Sequence, residues 1–163
     1  MGFGVCTSML FALLLLLVQA DPAWQSFSTW FSSEGIPGAP ADVLKAYSSK
    51  LQSQGFSVPA ADAAVKEVQT YLAAHPREAL TLHFNRIYTW VDAPFSREPS
   101  AFVRKVAATR KPGRALDIAM GQGRNSIYLA RTGWQVSGYD LSDEALRQAA
   151  RLAAEAGVTL DTR

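Results

Sequence analysis

The spacing of apolar positions changes character near residue 113. Ahead of it, apolar residues recur at helical intervals; beyond it, short apolar runs alternate with helical stretches, separated by glycines and carboxylates. The first run, Met9 to Val18, is unbroken. Trp24, Phe27, Trp30 and Phe31 then suggest a short amphipathic element, and Gly35 to Pro40 reads as a linker. Asp42 is placed to cap a helix with Leu44, Tyr47 and Leu51 on one face, ended by Gly55. Pro59 opens a second helix with Ala61, Val65, Val68 and Leu72 in register. Pro76 opens a third, striped by Leu80, Phe84, Ile87, Tyr88 and Val91, and a fourth follows Pro99 with Phe102, Val103, Val106 and Ala107.

After the turn at Lys111-Pro112-Gly113 the pattern predicts a strand over Arg114–Ile118, a glycine loop and a helix from Ser126 to Thr132. A second strand follows over Trp134–Tyr139. Ser142 is a natural cap for the next helix, whose inner face would be Leu146, Ala149, Ala150 and Ala153, and Val158-Thr159-Leu160 begins a third strand. The lack of alternation in the first strand predicts cover on both sheet faces. The expected class is α/β, with an open parallel sheet, and the expected division is residues 1–20, 21–110 and 111–163.

Composition narrows this picture modestly. A chain of 163 residues with 48% hydrophobic and 18% charged residues is globular in type. The net charge of +2 comes without a basic block interleaved with aromatics, so nucleic-acid binding is not indicated. Cys6 is the sole cysteine and falls in the leader, while His75 and His83 lack a third ligand nearby, so no metal site is expected. The leader itself fits a signal peptide cut after Ala20, with a secreted or periplasmic destination. The alternative is an uncleaved membrane anchor; the absence of Lys or Arg before Lys45 opposes neither.

The chemistry concentrates in Asp117-Ile118-Ala119-Met120-Gly121-Gln122-Gly123. An apolar strand ends in a carboxylate, and the chain then turns through glycines into a helix N-terminus, where backbone can approach a ligand closely. The second strand also ends in a carboxylate, Asp140, placed to accept hydrogen bonds from both ribose hydroxyls of a nucleoside at the carboxyl edge of the sheet. A dinucleotide fingerprint would want a third glycine where Ser126 stands, and Asp117 would repel a pyrophosphate. No Gly-Lys-Ser/Thr follows, which excludes a phosphate-binding loop of the Walker type. A cationic adenosine ligand, carrying an ammonium and a sulfonium, suits Asp117 instead.

These residues, with Ala115 to Ala156 as a whole, resemble the class I S-adenosylmethionine-dependent methyltransferases. Gly123-Arg124-Asn125-Ser126-Ile127-Tyr128-Leu129-Ala130 is similar to the branch that includes tellurite-resistance and related small-molecule methyltransferases, as is the approach Phe84-Asn85-Arg86-Ile87-Tyr88. The resemblance implies a Rossmann-like fold, S-adenosyl-L-methionine as cofactor and a small-molecule methyl acceptor. It places Asp117, Gly121, Gln122 and Gly123 at the methionine end and Asp140 at the ribose, with Ala119, Met120, Asn125, Leu141 and Tyr88 also among the cofactor-binding residues. Glycine is usual in the family where Ala119 stands, so a left-handed backbone there would cost about 1–2 kcal/mol. The family's sheet has about seven strands, so the sequence reads as the front part of such an enzyme.

Methyl transfer needs alignment and exclusion of water more than acid–base groups, so no catalytic residue is named. The helix bearing His83, Asn85, Tyr88 and Trp90 either packs or forms a lid, with Tyr88 facing the cationic ligand through a cation–π contact. Two other classes stay open at this point. One is an exported, non-catalytic binding protein with a degenerate loop; the other, disfavoured by Asp117 and Ser126, is a nucleotide-dependent oxidoreductase.

Overall fold

The computed structural model of the protein describes residues 21–90 and 95–163. The apolar leader with Cys6, and Val91 at the end of the third helical stripe, lie outside them. Two units divide at His75–Pro76 rather than at residue 110. The last two helices ahead of the sheet therefore belong with the sheet.

In the first unit, α1 spans Pro22–Ser33, α2 Pro40–Ser53 and α3 Val58–Ala74. Asp21 caps α1 through bonds from the N–H groups of Ala23 and Trp24 at 2.8 and 3.4 Å. Asp42 does not cap α2. That helix starts two residues earlier on Pro40, behind Ala39, and leaves Asp42 inside the first turn. Proline at the first position costs no hydrogen bond and presets φ, which explains the earlier start. Ser57 caps α3.

The unit's core is aromatic. Phe27, Phe31 and Tyr47 are buried together with Leu51, Ala61 and Val68. Phe27 meets Tyr47 edge-on, with centroids 5.2 Å apart at 84°, and Trp24 stacks on Tyr71 at 4.6 Å. Such pairs add about 0.5–1.5 kcal/mol beyond the area they bury. The Tyr47 hydroxyl donates to Ser26 Oγ at 2.9 Å, which satisfies that buried polar group.

The second unit comprises α4 (Pro76–Thr89), α5 (Ala101–Ala108), β1 (Arg114–Ile118), α6 (Arg124–Arg131), β2 (Gln135–Tyr139), α7 (Asp143–Glu155) and β3 (Asp161–Thr162). The strands form a parallel sheet in the order β1-β2-β3, with Ala115 opposite Val136 and Asp117 opposite Gly138. Helix α6 packs on β1 and β2, α7 on α6, and α4 on α7. The α7 face is Ala145, Ala149 and Ala153, a strict i, i+4, i+8 row; Ala150 points to solvent.

Three expectations are revised here. The sheet is covered on one face only among the described residues: Leu116 is 63% and Ile118 68% exposed, on the side away from α6. Apolar runs register that a strand avoids water, not that a second layer is present to shield it. The third strand begins at Asp161, not Val158, because the Val158 N–H is taken by the Ala153 carbonyl at 3.0 Å as α7 ends. In α5, Phe102 is 75% exposed; Val103, Val106 and Ala107 form the half-buried face.

Candidate functional site

The turn leaving β1 is left-handed at three alternate residues. Ala119 and Gly121 both have φ of +56°, and Gly123 has +81°. The two glycines take this conformation without strain, whereas at Ala119 it costs about 1–2 kcal/mol. An added Cβ at Gly121 would collide with the Tyr88 hydroxyl, and at Gly123 it would press on Ala149 Cβ and Met120 Cε, each at 3.2 Å. The loop is thus fixed from above by α4 and from below by α7.

The turn consumes its own donors. The Met120 N–H reaches the Tyr139 carbonyl at 3.0 Å, Gly121 N–H reaches Asp140 Oδ2 at 2.7 Å, and Gly123 N–H reaches the Met120 carbonyl at 3.0 Å. A loop whose N–H groups are spent internally has little left for a pyrophosphate. Met120 itself is buried, with its sulfur against Gly138 of β2, so its side chain serves the underside of the loop. Gly138 is obligatory for that contact, a close approach that spacing along the chain does not reveal.

Asp140 lies at the carboxyl end of β2, half-buried beside the loop. Its Oδ1 accepts from the Ser142 N–H at 2.9 Å while Oδ2 holds Gly121. A carboxylate offers about four lone-pair sites, so one per oxygen stays available for a diol. Leu141 follows, also half-buried. Asp117 faces the helices instead: its Oδ2 accepts from Ser126 Oγ at 2.6 Å, and Ser126 is fully buried. Ser126, which had counted only as a missing glycine, ties the β1 carboxylate to α6.

Gln122 and Asn125 turn toward the segment before α5. Gln122 Nε2 donates to the carbonyls of Phe95 and Ser96 at 3.4 and 3.3 Å. Asn125 Oδ1 accepts from the Ser100 N–H at 2.9 Å, and Arg124 donates to the Glu98 carbonyl at 3.2 Å. The loop and residues 95–100 are therefore strapped together. Both side chains thus spend hydrogen-bonding atoms on the protein's own backbone.

Tyr88 does stand over the loop, with its hydroxyl above Gly121 and its ring stacked on Phe95 at 4.6 Å. Burial pushes its phenol above the ordinary value; the nearby Asp140 carboxylate adds to the rise, and Arg124 opposes it. Asn85, one helical turn earlier, fixes this placement. Its Oδ1 accepts from Ser142 Oγ at 2.7 Å and from the Glu144 N–H at 3.2 Å, and Gln148 donates to the Tyr88 carbonyl at 2.6 Å. Among the residues the sequence had singled out on α4, Asn85 and Tyr88 reach the site, while Trp90 sits under Arg86 at 5.3 Å. Among the described residues no group of three His, Cys, Asp or Glu side chains is placed to hold a metal.

Residues 115–163 match the model of a methyltransferase domain. The cofactor of such methyltransferases is S-adenosyl-L-methionine. A ribosomal RNA small subunit methyltransferase C from Alcanivorax borkumensis is 50% identical over 36 residues, which are 22% of this chain and 11% of that protein. TehB from Haemophilus influenzae is 23% identical with a TM-score of 0.39, covering 51% of this chain and 27% of that one. A structure reported for conversion of a disulfide bond into a thioacetal group during echinomycin biosynthesis is 26% identical with a TM-score of 0.36, covering 40% and 29%. The methyltransferase segment thus spans a minor part of each relative's length.

The residues present suit the methyl donor in charge and shape. The donor is cationic at its methionine end and carries a vicinal diol. The loop's spent donors disfavour anions, and Asp140 retains acceptor capacity for the diol.

Proposed function

We propose that the protein is an S-adenosyl-L-methionine-dependent methyltransferase acting on a small-molecule acceptor. One observation carries the reading: the left-handed loop after β1 is hydrogen-bonded to the carboxylate that ends β2, Gly121 N–H to Asp140 Oδ2 at 2.7 Å. That places a close-approach backbone and a diol acceptor side by side at the carboxyl edge of a parallel sheet.

When bound, the donor supplies an electrophilic methyl group on a sulfonium. The chain's task is then to hold and shield. Asp140 accepts the ribose hydroxyls, the exposed turn at Ala119 lets the ligand lie close to backbone, and Tyr88 covers the cationic end with an aromatic face. Burial pushes the Tyr88 phenol above its already high ordinary value, so it adds no competing charge. Asp117 acts at one remove, holding α6 in line through Ser126. Orientation of donor and acceptor supplies the rate.

The test is calorimetric titration of the protein with S-adenosylhomocysteine. Asp140→Ala is expected to weaken binding by tenfold or more, since hydrogen bonds to a charged acceptor are worth about 1.5–3 kcal/mol each. Asp140→Asn keeps one oxygen for the loop and separates ligand loss from loop disorder. A preference for NAD over S-adenosylhomocysteine would overturn the reading in favour of an oxidoreductase.

A further inference from the structure

A concavity of about 420 Å³ lies beside α6, between that helix, residues 97–99 and α5. Its walls include Arg97, Glu98, Arg104, Arg124, Tyr128 and Arg131. Four arginines and a single acidic residue thus line one cleft. Three arginines elsewhere in this unit are ion-paired, Arg147 with Glu144, Arg151 with Glu155 and Arg163 with Asp161. In the cleft, Arg124 bonds only to the Glu98 main-chain carbonyl. Arg97, Arg104 and Arg131 have no ion-pair or hydrogen-bond partner among the described residues.

Like charges gathered in a concavity repel one another and focus a positive potential into it. Solvated surface arginines relieve this by spreading apart or pairing, as those on α7 do. We propose that this cleft is an oxyanion site that binds a phosphorylated or diphosphorylated small molecule. Arginine suits such a ligand better than lysine would, because its planar fork meets two oxygens of one phosphate. The volume fits a compact ligand, at the small end of the range for such sites. A nucleic-acid backbone would instead want basic residues continuing as a stripe, and the charges here converge. The inference does not depend on the donor reading, since none of the cleft's arginines is assigned to the ribose or the sulfonium. The two sites do share Gln122, which lines the cleft and belongs to the loop.

The experiment is calorimetric titration of the whole protein with sodium pyrophosphate at fixed ionic strength. Saturable one-site binding is expected, weakened about tenfold or more by the double change Arg104→Gln with Arg131→Gln, and unaltered by Lys66→Gln in the first unit. A second reading needs no variant. In the wild type, pyrophosphate should move the arginine side-chain resonances of Arg124 and Arg131 and leave Arg147 and Arg151 in place. Binding that does not saturate, or that survives the double change intact, overturns the proposal. So does movement of the paired arginines alone. Tighter binding of a short RNA than of pyrophosphate, with a salt dependence of several phosphates, would reassign the surface to RNA.

Discussion

Replacing Gly121 by alanine tests how the loop is held. The backbone at +56° penalises any Cβ, by about 1–2 kcal/mol. The new methyl would also strike the Tyr88 hydroxyl. Tyr88 cannot simply swing away, since its ring is stacked on Phe95 at 4.6 Å and its carbonyl holds Gln148 at 2.6 Å. Its tip can yield slightly, so overpacking adds about 1 kcal/mol, the low end for an inserted methyl. The expected total is about 2–3 kcal/mol. Because the chain has two units, a global denaturation curve would mix them; native-state amide exchange in the β1–β2 ladder reads this unit alone. The same change in a Tyr88→Phe background should cost only the backbone part, since the atom it strikes is gone. Equal costs in both backgrounds would refute the steric role of Tyr88. A neutral Gly121→Ala would refute the left-handed turn itself.

Other consequences are as direct. Ser126→Ala strips Asp117 Oδ2 of its 2.6 Å donor in a buried setting and should cost about 1.5–3 kcal/mol by the same exchange measurement. Asn85→Ala removes an acceptor shared by Ser142 Oγ and the Glu144 N–H; a loss of about 1–3 kcal/mol is expected, together with weaker S-adenosylhomocysteine binding as Tyr88 loosens. For Tyr88, the raised phenol pKa means the folded state keeps its proton after the unfolded chain has released it. Stability should therefore fall as pH rises above about 10, the unfolded value, and Tyr88→Phe should abolish that part of the alkaline loss in exchange or phenolate absorbance. In the first unit, Phe27→Ala should cost about 3–5 kcal/mol, seen as loss of helix signal on mild heating, because the ring is buried against Tyr47 and Phe31.

Much of the second unit was readable from spacing. β1 occupies Arg114–Ile118 as the apolar run predicts, β2 begins one residue later than expected, and Ser142 caps α7 with a 3.1 Å bond from Ala145. These features are local, decided by residues a few positions apart. What spacing could not supply was pairing between distant positions. Asn85 and Ser142 are 57 residues apart, and Gln122 meets Phe95 across 27. Each residue taken alone fits a solvated polar position equally well. Ser126 shows the same limit from another side: its hydroxyl looks like an absence of glycine until Asp117 is seen beside it. The exposed face of β1 had no signal either, because Leu116 and Ile118 prefer burial whether or not a neighbour provides it.

The pairing of β1 with β2 bears on how this unit is acquired. Ala115 and Val136 face each other across roughly twenty residues of chain, most of them α6 and its two flanking turns. Parallel strands usually close long loops and form slowly; here the loop is about as short as a parallel connection allows. The strand-turn-helix-strand block can form while the chain is still being synthesised. The left-handed turn at residues 119–123 then does kinetic as well as chemical duty, since Met120 N–H on Tyr139 O sets the register at the moment the strands meet.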